Sequence, residues 1–375
     1  MNALIARFQE LYPDVSVVNS AVAGGSGVNA RAVLTTRMLG GDPPDTFQVH
    51  AGEELNALWV AADLMTPVND IYEENGWLEQ YPQGLLDLIT DEEGNIYVVP
   101  VNIHRSNVLW YNPASLEEWG VEVPTTWDEF LAVCEALPEG VSAIAIGENW
   151  TQVHLWESVA LGVLGVEAYN GLWDGTTNWT SEEVVNTFTV LGQVMDCAND
   201  DMNALTWQDA AQRVANGEAA FNIMGDWAAG YFLVDLALEP ETGFGWAASP
   251  GTDGVFMMLS DTFGLPVGAP NPTAVRAWLS FLGTAEAQDI FNPLKGSLPA
   301  NTTADITNPD LYNAYFQSAY EDWTGNEIVG SLAHGLVASP AFSNGFANII
   351  ATFQGDRNAE NAAVTAAQLA LQTLR

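Results

Sequence analysis

The chain contains one lysine, Lys295, among 375 residues that also include 48 aspartates and glutamates. Lysine is usually a common surface residue, so its retention at one position indicates a function there. It lies in the stretch Asn-Pro-Leu-Lys-Gly-Ser at 292–297, which we interpret as a loop. A compact ammonium on a flexible stem can reach into a cleft and donate hydrogen bonds to a ligand. The alternative is a chance survivor on the surface.

Four further polar residues are candidates for the same ligand site. Gln48 and His50 are two residues apart in an apolar stretch, so they lie on one face of a predicted strand. Asp261 and His334 are the others. The four histidines do not form a His-x-x-x-His or His-Glu-x-x-His pattern, and the sequence therefore predicts no zinc site.

Tryptophan is frequent, with 14 copies, and several stand beside polar residues. Trp207 lies in Leu-Thr-Trp-Gln, and Trp227 follows Gly225-Asp226 at the start of a predicted helix. A sugar ring has apolar faces that an indole can stack on, and a polar edge that carboxylates, amides and imidazoles can bind. We therefore predict that both tryptophans contact a sugar, with simple core packing as the alternative.

Several function classes are disfavoured. A net charge of −39 repels phosphate backbones and anionic lipid, which argues against nucleic-acid binding and membrane docking. The chain has no phosphate loop, dinucleotide fingerprint or Gly-x-Ser-x-Gly elbow, so we predict neither cofactor nor catalysis. The abundant acids leave a glycoside hydrolase with a carboxylate pair as the alternative.

The elements that position these residues alternate along the chain. Helices are predicted from Asn2, at about Asn29–Leu39, from Thr126 and from Ser339, and strands at Val15–Val18, 46–50, 96–103, 142–146, 219–224 and 243–247. This alternation predicts an α/β fold with parallel, doubly wound sheets. The length predicts two domains. Three stretches are predicted to pass between them: Asn107–Asn112, Met257–Leu265 and Leu294–Asn301.

Cys134 and Cys197 lack the spacing of a metal site or a redox pair, so they are either two buried thiols or one disulfide.

The chain resembles the extracellular sugar-binding proteins of ABC transporters, closest to the bacterial glucose/galactose-binding branch. The resemblance covers nearly the whole chain. It is carried by runs such as Gly-Gly-Asp-Pro-Pro-Asp-Thr-Phe-Gln-Val-His-Ala-Gly at 40–52, Pro-Val-Asn-Ile-His-Arg-Ser-Asn at 100–107, Met-Gly-Asp-Trp-Ala-Ala-Gly-Tyr at 224–231 and Gly-Val-Phe-Met-Met-Leu-Ser-Asp at 254–261.

The resemblance implies a two-lobed, periplasmic-binding-protein-like (type II) clamp whose chain crosses between lobes about three times. We place lobe 1 at 1–107 and 259–297, and lobe 2 at 108–258 and 298–375. It also implies that residues matching Gln48, His50, Asp261, Lys295 and His334 hydrogen-bond a monosaccharide in the interlobe cleft. A residue matching Trp207 stacks on its ring.

The implied function is non-catalytic binding of glucose, galactose or a close epimer and its delivery to the permease subunits of an ABC transporter. We expect a monomer that works in an extracellular or periplasmic location, where a Cys134–Cys197 disulfide is favoured. Family members begin with a strand bearing adjacent tryptophans, which has no match before Asn2. We therefore expect that a first strand and an anchoring segment are missing.

Overall fold

A computed structural model describes residues 1–22 and 27–374, so most of the glycine-rich turn expected at 23–27 lies outside the described residues. The α-helices are α1 Asn2–Leu11, α2 Val28–Leu39, α3 Asn69–Asn75, α4 Gln83–Leu88, α5 Pro113–Trp119, α6 Trp127–Ala136, α7 Asn149–Asp174, α8 Glu182–Asp196, α9 Trp207–Ala215, α10 Trp227–Gly230, α11 Pro272–Leu282, α12 Ala285–Lys295, α13 Ala314–Gly325, α14 Pro340–Asp356 and α15 Ala359–Thr373. The strands are β1 Phe47–His50, β2 Val98–Pro100, β3 His104–Arg105, β4 Val108–Tyr111, β5 Ser142–Ile144, β6 Ala219–Ile223, β7 Gly245–Ala248, β8 Val255–Leu259, β9 Asp261–Gly264 and β10 Glu327–Gly330.

The chain divides into two units, in line with the expected two-lobed α/β fold. The first unit comprises Met1–His104, Leu259–Tyr312 and His334–Leu336, and the second comprises Arg105–Met258, Asn313–Ala333 and Val337–Arg375. Of the three predicted crossing stretches, only Met257–Leu265 contains a unit boundary. Residues 298–312, which we expected in the second lobe, belong to the first unit.

The first unit is built on a three-stranded sheet of order β1-β9-β2. The central strand β9 is antiparallel to both neighbours, and its register sets His50 opposite Asp261. Beside this sheet, the apolar face of α1 packs on α11, where Phe8 meets Trp278 with ring centroids 5.0 Å apart. The expected helical spacing of α1 buries Leu4 and Phe8, whereas Leu11 is 45% exposed.

The second unit has a four-stranded sheet of order β5-β6-β4-β7 and a parallel pair, β8 with β10. Helices α7, α8, α14 and α15 enclose an aromatic core in which Trp156, Phe188 and Phe346 are fully buried. Cys134 at the end of α6 and Cys197 after α8 form a disulfide with a Cα–Cα distance of 5.7 Å. The sequence had left open two buried thiols or one disulfide, and the structure has the disulfide.

Two expectations about strands are wrong. Parallel sheets were expected, but the sheets are mixed: β5–β6 and β8–β10 pair in parallel, whereas β4 and β9 run antiparallel to their neighbours. The rule for parallel strands applies to consecutive strands joined by a helix, whereas β9 joins its sheet after a long excursion through the second unit. The strand expected at Val15–Val18 does not form. Val18 is 80% exposed there, without the sheet partner that a strand needs.

Candidate functional site

A buried carboxylate, Asp261, is the centre of a polar group in the first unit. It is the first residue of β9, and its side chain is 5% exposed. Because His50 is its direct partner on β1, the two side chains lie on the same face of the sheet. Gln48, two residues earlier, shares that face.

Both carboxylate oxygens of Asp261 have close neighbours. Oδ1 accepts a hydrogen bond from Nε2 of Gln48 at 2.6 Å and lies 3.5 Å from Nε2 of His50. Oδ2 accepts a hydrogen bond from Nδ2 of Asn102 at 2.9 Å and lies 3.6 Å from Nζ of Lys295. A further neighbour of Oδ2 is Nε2 of His104, at 3.3 Å.

Charge controls the protonation of this carboxylate. Burial, the largest single effect, disfavours the charged form, but Lys295, His104 and His50 together outweigh it and hold the pKa of Asp261 well below its usual range. Asp261 is therefore ionised at neutral pH. Hydrogen bonds to a charged group of this kind are stronger than those between neutral groups.

Lys295 is the last residue of α12 rather than part of a loop, which corrects our reading of residues 292–295. Gly296 follows with φ 91°, a left-handed conformation that ends the helix. The helix therefore ends at the lysine, whose side chain is 35% exposed.

Glu54 contacts the ring nitrogen of His50 that does not face Asp261. Its Oε2 lies 2.9 Å from Nδ1 of His50 and accepts a hydrogen bond from Nη1 of Arg31 at 3.0 Å. Burial raises the pKa of the Glu54 carboxyl, but His50 and Arg31 together lower it below its usual value.

His334 reaches the first unit through a three-residue segment, 334–336. Backbone N–H groups of Glu53 and Glu54 donate to the carbonyls of Leu336 and Gly335, at 3.3 and 2.8 Å. The imidazole of His334 contacts that of His50 edge to face, with ring centroids 5.7 Å apart. The structure thus groups Gln48, His50, Asp261, Lys295 and His334 in one unit.

Trp227 lies in the second unit and is partly exposed. It begins α10 and contacts Trp150 and His154, with ring centroids 6.4 and 5.8 Å apart. The preceding Asp226 fixes this turn, because its Oδ2 accepts a hydrogen bond from the backbone N–H of Arg105 at 2.9 Å.

Trp207 is also partly exposed in the second unit. It is the first residue of α9, which begins at a capping box between Thr206 and Asp209. Its indole contacts Tyr231 edge to face at 5.6 Å. Tyr231, itself partly exposed, follows Trp227 by four residues, about one helical turn.

Four residues of these groups were not among the predicted ligand contacts: Asn102, His104, Glu54 and Trp150. A local signal existed for three of them. Asn102 and His104 are two apart, as are Gln48 and His50, and Glu54 is four residues from His50. These spacings could have identified the three residues, but they do not predict which atoms the side chains contact.

The chain is similar in sequence to known proteins over most of its length. Residues 1–289 match the model of a family described as bacterial extracellular solute-binding protein. The chain is 35% identical over 369 residues to an uncharacterized ABC transporter extracellular-binding protein of Pyrococcus horikoshii, a match that covers 96% of this chain and 82% of the relative. It is 28% identical over 348 residues to a xylose/arabinose-binding protein of Haloferax volcanii, covering 91% of this chain and 74% of the relative.

A solved structure supports the fold. A bacterial solute receptor described as having an exclusive preference for β-D-galactopyranose matches with a TM-score of 0.85 at 19% identity, covering 100% of this chain and 95% of the receptor. Among the residues that the structure describes, none of the helices combines the length and the hydropathy that a membrane span requires.

Proposed function

The chain belongs to the family of bacterial extracellular solute-binding proteins, and from that membership we propose that it binds a neutral monosaccharide without altering it chemically. Glucose, galactose or a close epimer is the proposed ligand, and the permease of an ABC transporter is the proposed recipient. The protein acts as a monomer in an extracellular or periplasmic location.

The polar group around Asp261 is the observation that carries this proposal. A sugar hydroxyl both donates and accepts a hydrogen bond. The ionised Asp261 accepts, the ammonium of Lys295 donates, and the two lie 3.6 Å apart. Charged and neutral polar groups placed this closely suit several hydroxyls of one small ring.

Trp207 and Trp227 are proposed to contact the apolar faces of the sugar. Both are partly exposed, and each is held by a neighbouring ring, Tyr231 for Trp207 and Trp150 for Trp227. An indole fixed in this way loses little conformational freedom when a ligand stacks on it. The xylose/arabinose-binding relative supports a ligand of monosaccharide size.

Calorimetric titration against glucose, galactose, xylose, arabinose and maltose tests the proposal. We expect saturable binding of at least one hexose, and its loss in Asp261→Asn, which keeps the shape of the side chain but not its charge. Binding of maltose alone would contradict the monosaccharide assignment. Glucose released from maltose during a long incubation would indicate the glycoside hydrolase instead.

Trp207→Ala, compared with the parent by the same titration and by intrinsic fluorescence, tests the stacking role. We expect weaker binding and a smaller ligand-induced change in emission. An unchanged affinity would return Trp207 to a packing role against Tyr231.

A further inference from the structure

Glu157 is a fully buried carboxyl of the second unit, and its two oxygens contact donors from two distant stretches of chain. Oε1 accepts a hydrogen bond from the hydroxyl of Ser106 at 2.8 Å. The hydroxyl of Ser331 lies 2.9 Å from Oε1 and 3.0 Å from Oε2. Oε2 also accepts a hydrogen bond from the backbone N–H of Ala333 at 2.9 Å. The carboxyl therefore joins residue 106 to residues 331–333 within this unit.

Both stretches lie beside points where the chain passes from one unit to the other. Ser106 is the second residue of the second unit, and Ala333 is the last residue before the 334–336 segment of the first unit. Ser106 follows β3 and Ser331 follows β10, and these two strands flank β8 in a sheet of order β10-β8-β3. Glu157 therefore connects the ends of the two outer strands, next to both chain passages.

The sheet itself fixes the serines but not the residue that precedes His334. The backbone N–H groups of Ser106 and Ser331 donate to carbonyls of β8, at 2.7 and 3.0 Å. Ala333 lies beyond the end of β10, and its backbone N–H is the group that Glu157 binds. This hydrogen bond is one residue away from His334.

Hydrogen bonds explain how a carboxyl can occupy this interior position. Burying such a group is costly unless it is hydrogen-bonded. Two carboxylate oxygens offer about four acceptor positions, and the contacts from Ser106, Ser331 and Ala333 engage both oxygens. Because Glu157 is also fully buried, its effect on a ligand is exerted through the chain that it holds.

We propose that Glu157 is a positioning residue for ligand binding: by holding Ser106 and residues 331–333, it fixes the chain at both passages and thereby the placement of His334. The ligand part of this inference rests on the proposed sugar binding, in which His334 contacts the ligand. The holding of the chain does not, because it is a property of the ligand-free protein.

Amide hydrogen exchange of the ligand-free protein tests the holding of the chain. The Ala333 amide should be protected in the parent. Glu157→Leu removes both acceptor oxygens and should speed exchange at Ala333 about tenfold or more, as for one lost hydrogen bond to a charged group. Thr187→Val is the matched control, because it removes a fully buried hydroxyl of the same unit that accepts from Nε1 of Trp156 at 3.2 Å. It should leave exchange at Ala333 within about twofold of the parent rate. Equal exchange at Ala333 in the parent and Glu157→Leu would overturn the proposal.

Affinity tests the effect on the ligand. For a hexose that binds the parent, Glu157→Leu should raise Kd about tenfold or more. Ser331→Ala removes one donor from the carboxyl and should raise Kd less, whereas Thr187→Val should stay within about twofold. If Glu157→Leu does not fold, Ser331→Ala decides, and a parent-like Kd in that variant would contradict the positioning role.

A double-mutant cycle with His334→Asn separates positioning of His334 from a general loosening of the structure. If Glu157 acts through His334, Glu157→Leu should weaken binding much less in the His334→Asn background than in the parent. Equal weakening in both backgrounds would refute the placement of His334 by Glu157. An absence of sugar binding in the parent would refute the proposed function and the ligand part of the inference, whereas the exchange at Ala333 decides the holding of the chain independently.

Discussion

At the scale of single residues, Lys295 forms an ion pair with the buried carboxylate of Asp261. Asp261 is buried, and an unpaired buried carboxylate is destabilising. The ammonium 3.6 Å from Oδ2 offsets part of that cost while remaining 35% exposed. A group that both stabilises the carboxylate and remains accessible is suited to a ligand contact, whereas a lysine on an open surface would be replaceable.

Lys295→Met should weaken hexose binding by roughly 1.5–3 kcal/mol, the range for a hydrogen bond to a charged group. The substitution should also raise the pKa of Asp261, because Lys295 is the main group that lowers it. Titration calorimetry measures the affinity. Arg276→Met is the matched control, since it removes a positive charge from the same unit at an exposed pair with Asp70. Equal affinities in both variants and the parent would leave Lys295 without a role in binding.

Glu157 in the second unit gives a prediction about pH. Its carboxylate is fully buried and accepts hydrogen bonds from Ser106, Ser331 and the backbone of Ala333, at 2.8–3.0 Å. Burial outweighs these bonds and raises the pKa of Glu157 to about 7. Burial also lowers the pKa of the adjacent His154 to about 4.

A raised carboxyl pKa means that the folded state holds a proton that the unfolded state has lost. The free energy of unfolding should therefore fall as pH rises from about 4.3 to about 7, by roughly 3 kcal/mol from Glu157 alone. His154 acts in the opposite sense between pH 4 and about 6.5. Urea unfolding of the parent and of Glu157→Gln separates the two contributions. Because His154 is present in both proteins, the difference between their unfolding free energies reports Glu157.

The parent should lose stability relative to Glu157→Gln as pH rises from 5 to 8. A stability difference that is constant across this range would mean that Glu157 is ionised throughout.

At the scale of elements, Gly52 follows β1 and permits the close approach of the 334–336 segment. Its φ is 85°, and a Cβ there would lie 2.5 Å from the carbonyl oxygen of Leu336. The backbone cannot accommodate that contact without moving. Gly94 has almost the same φ, 84°, with nothing within 4 Å of a Cβ.

Gly52→Ala should therefore destabilise the protein more than Gly94→Ala, by about 1–3 kcal/mol beyond the backbone strain that the two variants share. It should also weaken sugar binding, because it displaces His334. Urea unfolding and calorimetry of the two variants measure both effects. Equal losses of stability would show that the contact with Leu336 adds nothing to the strain.

Local patterns predicted most helices and the strand that carries Gln48 and His50. The capping box at Thr126 and the glycine after Leu39 are physical signals that depend only on near neighbours. The antiparallel position of β9 was missed because it depends on a strand that is distant in sequence. Residue types and the family resemblance together named five polar residues that the structure places in one unit. They did not supply Glu54 or Asn102; the spacing of these two residues from His50 and His104 marks them as candidates but does not predict the hydrogen bonds that they make.

At the scale of the whole molecule, the described basic residues are all paired with acids. In the described part of the chain, each of the eight arginines and lysines lies within 4.0 Å of a carboxylate. The 48 acids far outnumber the nine basic residues of the sequence, so most of the net charge of −39 is not neutralised by lysine or arginine and the acids repel one another.

Added salt should consequently raise stability without changing sugar affinity. Screening shortens electrostatic repulsion to about 10 Å at 0.1 M ionic strength, which favours the compact state over the expanded one. A neutral sugar gains nothing from long-range steering, so its Kd should stay within about twofold from low salt to 2 M KCl. The melting temperature should rise over the same series. An affinity that falls steeply with salt would indicate a cationic ligand and contradict the monosaccharide proposal, whereas an unchanged melting temperature would show that the repulsion contributes little to unfolding.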